Sequence, residues 1–185
     1  MTEMKNDPFY EMISNNYVDL CVDYVILSYG GKYNGEITHK AAVIEMINIL
    51  NKRQAEKYPH CDTLYVEEDI MQRRKTDIDL FFSEYEEEWE ELSPQCKCKE
   101  IPKEISYWYA FSDPPYGNDY NLDDFHKINN ILFPAQFRND LEIYRWNDDF
   151  SNYFDAGKEW WGTGLWSIYD KWMHRFVIIG ASTTD

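Results

Sequence analysis

The sequence has no apolar run approaching about 18 residues, the length that crosses a bilayer, and its opening stretch "MTEMKNDPFYEM" lacks the cationic segment and apolar core of a secretory signal. These absences predict neither membrane insertion nor secretion. Cysteine is scarce, and Cys21, Cys61, Cys96 and Cys98 show no disulfide-framework spacing, which fits a reduced, cytoplasmic protein. Positive charge is also short: 18 Lys and Arg stand against 34 Asp and Glu, a formal net charge of −16. Such a surface repels phosphate backbones, so direct nucleic-acid binding is not expected, and it attracts basic partners through fields that salt screens. No G-x-S-x-G, Walker or HExxH-like pattern occurs, and His39, His60, His126 and His174 are scattered, leaving nucleophilic catalysis and nucleotide hydrolysis without support. No cofactor is expected.

What is present is a chain of 185 residues that is 44% hydrophobic, enough for one domain with a substantial core. Asp7 and Pro8 predict a helix start, and apolar residues from Phe9 to Ile26 recur at three- and four-residue steps, predicting one helix that ends at Gly30 or Gly31. The valine-rich stretch 18–27 leaves a strand open as the alternative. A second helix is predicted after Thr38, with Val43, Ile44, Ile47 and Leu50 inward and "NKRQAEK" at its cationic end. From 104 onward the texture is β: "EISYWYAF" (104–111), "LEIYRW" (141–146), "GTGLWSIYD" (162–170) and "HRFVIIGAS" (174–182) read as strands, the last two as a hairpin. Between the first two, Asn121 caps a helix that buries Leu122, Phe125, Ile128 and Leu132. The expected fold is α+β in a single domain over 1–185, with a helical part at about 7–95 packed on one face of a mainly antiparallel sheet at about 104–182.

Half of the net charge lies within 62–104, where 14 acids face 6 bases. The stretch "TDIDLFFSEYEEEWEELSP" reads as a helix with Ile78, Phe81, Phe82, Tyr85, Trp89 and Leu92 on one face and glutamates on the rest. Six glutamates on about two and a half turns repel one another by a few tenths of a kcal/mol per pair, a cost that a partner's cations relieve; the plainer reading is a solvated face. A second unusual stretch, "WNDDFSNYFDAGKEWWGTGLW" (146–166), interleaves aromatic rings with carboxylates. It suits a sugar platform, a protein interface, or a plug at the end of the sheet. The candidate partner-binding residues are Glu86, Glu87, Trp89, Glu90 and Glu91 from the first stretch and Asp148, Asp149, Asp155, Glu159, Trp160 and Trp161 from the second. Trp160 and Trp161 are adjacent, which in an extended segment sends them to opposite faces and at least one outward.

Two resemblances enter here. Asp113-Pro114-Pro115-Tyr116 resembles the catalytic tetrapeptide of the amino-methyltransferases, which methylate the exocyclic amine of adenine or cytosine with S-adenosylmethionine. The resemblance implies that Asp113 accepts the amine hydrogens while Tyr116 stacks on a flipped base. The glycine-rich cofactor turn of that family has no counterpart: "SYGGKYNG" at 28–35 lacks its spacing, and the alternating β–α pattern is missing. Asp-Pro-Pro-x-Gly is also ordinary turn chemistry, and it reads as a strand-to-helix loop. The tail "EWWGTGLWSIYDKWMHRFVIIGASTTD" is similar to tails of small acidic bacterial proteins of the toxin-immunity type, which implies inhibition by tight binding. Cys96 and Cys98, with His60 and Cys61, offer zinc-ligand atoms, but one intervening residue is narrower than the usual zinc knuckle, and no metal is expected. The sequence therefore leads to a non-enzymatic acidic protein that binds a basic protein such as a toxin or nuclease, DNA mimicry included. The alternatives are a methyltransferase and a carbohydrate-binding or carbohydrate-active protein.

Overall fold

The computed structural model describes residues 1–84, 105–159 and 161–183. Its frame is a six-stranded antiparallel sheet in the order β1-β2-β6-β5-β4-β3, formed by Thr2–Glu3, Asp23–Ser28, Arg73–Lys75, Leu141–Trp146, Thr163–Asp170 and Arg175–Ser182 for β1 to β6. The class is α+β. The predicted hairpin is present as β5–β6, with Ile168 opposite Val177 and Asp170 opposite Arg175. Its turn is closed by Asp170, whose Oδ1 accepts the backbone N–H of Trp172 and of Met173, each at 2.9 Å.

The first predicted helix divides in two. Asp7 caps it as expected, accepting Phe9 N at 3.0 Å with Pro8 at the first position, but α1 covers only Pro8–Asn16. The chain then re-enters as β2, whose Val25, Ile26 and Leu27 are all fully buried. A run apolar on both sides carries no period that separates helix from strand, and here sheet burial on two faces decides it. The second helix, α2, spans Gly35–Lys57 and buries Val43, Met46, Ile47 and Leu50. A short α3, Ile78–Phe81, follows a cap by Asp77 and stops at Phe82, which leaves helical geometry to pack on Phe133 beneath the Arg138 guanidinium. Of the helix expected to run through residue 92, Ile78–Phe81 is helical and residues 82–84 are not, while residues 85–104 lie outside those described.

The predicted strand at 104–111 is also corrected. Ser106 accepts Tyr109 N at 3.0 Å and opens a helix, α4 (Tyr107–Ser112), that buries Tyr107, Ala110 and Phe111. Those positions share one helical face, and their packing overrides the strand preference of aromatic residues. Helix α5 (Leu122–Leu132) follows the predicted cap, completed by a reciprocal bond between Asp124 and the Asn121 backbone. A four-residue α6, Asp155–Lys158, precedes β5.

Helices cover both faces of the sheet rather than one. Tyr24, Ile26, Trp166, Ile168, Val177 and Ile179 point into a core shared with α1, α4 and α5. Val25, Leu27, Leu165, Tyr169, Phe176 and Ile178 point into a second core beneath α2. Strands β2 and β3 come from the part of the chain expected to be helical, and β1 precedes it, so helices and sheet are interleaved in sequence rather than segregated.

Candidate functional site

Residues 61–72 form a strap across the open end of the second core, in extended and 3-10 conformation. Their alternation sets the two sides: Leu64 and Val66 pack inward, while Tyr65 and Glu67 face out. Three asparagines hold the strap's backbone by offering their amides as a backbone would. Asn51 of α2 accepts Leu64 N at 2.7 Å and donates to Leu64 O at 2.8 Å. Asn152 accepts Tyr65 N at 2.8 Å and donates to Thr63 O at 3.2 Å. Asn147 accepts Gln72 N at 2.7 Å and donates to Ile70 O at 3.1 Å. Glu67 N donates to Phe150 O at 2.7 Å, and Lys40 Nζ to Glu68 O at 2.7 Å.

The bonds of Asn147 and Asn152, across 75 to 89 residues of sequence, lay the strap against the loop 147–159. In that loop the rings turn in and the acids turn out. Phe150 and Phe154 fill the second core, while Asp149, Asp155 and Glu159 are exposed. Asp148 is half-buried, accepting from Thr163 Oγ1 at 2.7 Å, and Lys158 lies 3.9 Å from Asp148 and 3.2 Å from Asp149. The result is one surface carrying exposed Asp62, Glu67, Glu68 and Asp69 from the strap and Asp149, Asp155 and Glu159 from the loop. Tyr65, 50% exposed, and Ile70 stand among them.

The other sequence candidates fall elsewhere. Glu86, Glu87, Trp89, Glu90, Glu91 and Trp160, together with Cys96 and Cys98, lie outside the described residues. Trp161 is 2% exposed, a core residue and not a contact anchor, because its indole N–H is drawn inward to the carbonyl of Asp113 at 2.8 Å. Trp146 and Trp166 are buried as well, so these rings form no sugar platform. Asp113 is the C-cap of α4, and Tyr116 is exposed in the following loop. That loop joins two helices, not a strand and a helix. Among the described residues, no group of three or more His, Cys, Asp or Glu side chains is placed to hold a metal ion, and no helix is long and apolar enough to cross a membrane.

No family model matches the chain, and neither curated proteins nor solved structures give a match.

A polar cluster that sequence reading missed lies under α2. His39 Nδ1 is 2.8 Å from Ser167 Oγ, which accepts the indole N–H of Trp146 at 2.8 Å. His39 Nε2 is 3.0 Å from the Tyr33 hydroxyl. Tyr33 in turn hydrogen-bonds Glu142, as does Tyr144 at 3.1 Å. Burial holds the His39 imidazole down to about 4, against the pull of Glu142. Burial would raise the Glu142 carboxyl, but the Tyr33 and Tyr144 hydroxyls and nearby Lys75 outweigh it and hold the group below its usual range. Burial and the Glu142 carboxylate together push the Tyr33 hydroxyl up. A serine touching a histidine resembles a nucleophile and its base. Ser167 is 0% exposed, though, so no substrate reaches its hydroxyl in this conformation, and the cluster fastens α2 to the sheet.

Proposed function

We propose that this chain is a non-catalytic binding protein for a basic protein, docking on the surface made by the strap 61–72 and the loop 147–159, and that it acts as an inhibitor of the toxin-neutralising type. The observation that carries this reading is the joining of two acidic stretches, far apart in sequence, into one surface with Tyr65 and Ile70 exposed among the carboxylates. Complementary charge speeds encounter above the ~10⁵–10⁶ M⁻¹s⁻¹ of neutral pairs. Rigid amphipathic rings such as tyrosine supply the slow dissociation. The three asparagine clamps support it further, because a surface held in place before contact loses little entropy on binding.

The test is capture of basic proteins from the source lysate at low salt, followed by kinetics with purified partner. The triple variant Glu67→Gln, Glu68→Gln, Asp69→Asn retains side-chain shape and removes three charges. It should associate about tenfold more slowly at low salt and show a flatter salt dependence. Equal rates for parent and variant at every salt concentration would place the binding surface elsewhere.

A further inference from the structure

The sequence contains one Asn-Gly pair, Asn34–Gly35, and the fold leaves it chemically open. Asn34 is exposed at the N-cap position of α2, yet its side chain makes no cap hydrogen bond. Its backbone N–H is instead taken by Thr38 Oγ1 at 2.8 Å. Other asparagine amides are held: both side-chain atoms of Asn51, Asn147 and Asn152 are bonded to the strap, and both of Asn118 to backbone groups. Gly35 is half-buried with φ +49°, and a Cβ built there meets nothing within 4 Å, so no neighbour crowds this turn; Asn34 has ψ 49°, which turns the Gly35 nitrogen away from Cγ, and attack requires rotation about this one bond. As a first-turn amide it has no partner within the helix, and the positive helix end favours an anion at this point.

We propose that Asn34–Gly35 is a self-modifying site in the folded protein. The Gly35 nitrogen, deprotonated by hydroxide, attacks Cγ of Asn34. The new N–Cγ bond closes a five-membered succinimide while the Cγ–NH₂ bond breaks, and ammonia departs with a proton from water. Water then opens the ring. Addition at Cγ gives aspartate, and addition at the main-chain carbonyl of residue 34 gives isoaspartate; nothing is oxidised or reduced. The two products act in opposite directions. Aspartate supplies the capping acceptor that α2 lacks. Isoaspartate lengthens the main chain by one carbon between Tyr33 and α2 and draws the Tyr33 hydroxyl away from His39.

The experiment incubates the full chain, native or unfolded in urea, and follows the tryptic peptide Tyr33–Lys40 by mass spectrometry with separation of the two isomers. Rotation about one bond at an exposed helix start needs no global unfolding, so native conversion should lie within about fivefold of the urea-unfolded rate. It should also rise roughly tenfold per pH unit near neutrality, because the anion fraction of a weak acid far below its pKa does so. Asn51 and Asn147 should stay intact in the native protein. Gly35→Ala should slow conversion in urea as well as in the native state, so its result stands even if the variant folds poorly. Native conversion slower than the unfolded rate by more than that fivefold margin, or unchanged by Gly35→Ala in urea, would overturn the proposal.

Discussion

Ser167 Oγ lies between two buried nitrogens, accepting from Trp146 Nε1 at 2.8 Å and meeting His39 Nδ1 at 2.8 Å. One hydroxyl thus satisfies a group on β4 and a group on α2. Ser167→Ala removes both bonds while barely changing volume and leaves a buried indole N–H without its acceptor. The expected cost is about 2–3 kcal/mol, read as a lower midpoint in urea with an unchanged slope.

The same cluster makes stability depend on pH. The folded protein keeps His39 neutral down to about 4, whereas the unfolded chain protonates it near 6.5. Below that value the unfolded state binds the extra proton, so this contribution is complete above about pH 6.5 and is lost as pH falls toward 4. The amount is on the order of 3 kcal/mol, since each tenfold difference in proton affinity between the folded and unfolded chain is worth about 1.4 kcal/mol. His39→Gln should show a flatter stability profile across that window than the parent; parallel profiles would mean that other groups set the acid limb.

Asn51 ties the strap to α2 through both atoms of its amide. Asn51→Ala should cost about 1–2 kcal/mol and speed amide hydrogen exchange from Leu64 to Ile70 far more than in the β5–β6 hairpin. Asn51→Asp keeps the acceptor for Leu64 N but sets a carboxylate against Leu64 O, and should loosen the strap as well. Uniform exchange changes over the whole chain would contradict a local tether.

Gly157 sits where the chain of the acidic loop doubles back. A Cβ there collides with the Gly162 carbonyl oxygen, while Gly162 N donates to Gly157 O at 2.8 Å. The obstacle is backbone, with no side chain to swing aside. Gly157→Ala should therefore destabilise by about 1–3 kcal/mol, with the loss visible in the melting temperature.

If Tyr65 anchors a partner, Tyr65→Ala should raise the dissociation rate by the equivalent of about 2 kcal/mol while leaving association nearly unchanged. Because half of the side chain is exposed, the fold should melt as the parent does. A slower association with normal dissociation would assign Tyr65 to steering and not to anchoring.

Much of the α+β frame was legible in local signals. Asp7-Pro8 and Asn121 mark helix starts through bonds to their nearest neighbours, and the alternating "LEIYRW" and the β5–β6 pair need only adjacent residues. What failed depended on distant ones. "YVILS" becomes a strand because β6 lies beside it, and "YWYAFS" becomes a helix because Tyr107, Ala110 and Phe111 share a core with Phe125. The acidic surface was half visible. Asp148, Asp149, Asp155 and Glu159 stand out by their mixture with aromatics, but the strap acids at 62–69 carry no such mark. Nothing in the local pattern of Asn51, Asn147 or Asn152 tells that their amides clamp a backbone segment. Trp172, 63% exposed at the hairpin tip and stacked on Phe137, reads in sequence as no more than part of a short connection.

The placement of β2 between β1 and β6 has a consequence for how the protein is made. Val25 faces Ile178 across the sheet, about 150 residues later, so the central pairing is among the slowest kinds of contact to close. While a ribosome is still adding the intervening chain, β2, apolar on both sides, has only the two residues of β1 to pair with, and the long edge that β6 later covers stays open to other strands. The yield of folded protein should thus follow the supply of chaperones that shelter nascent chains more closely than it follows the stability of the finished molecule.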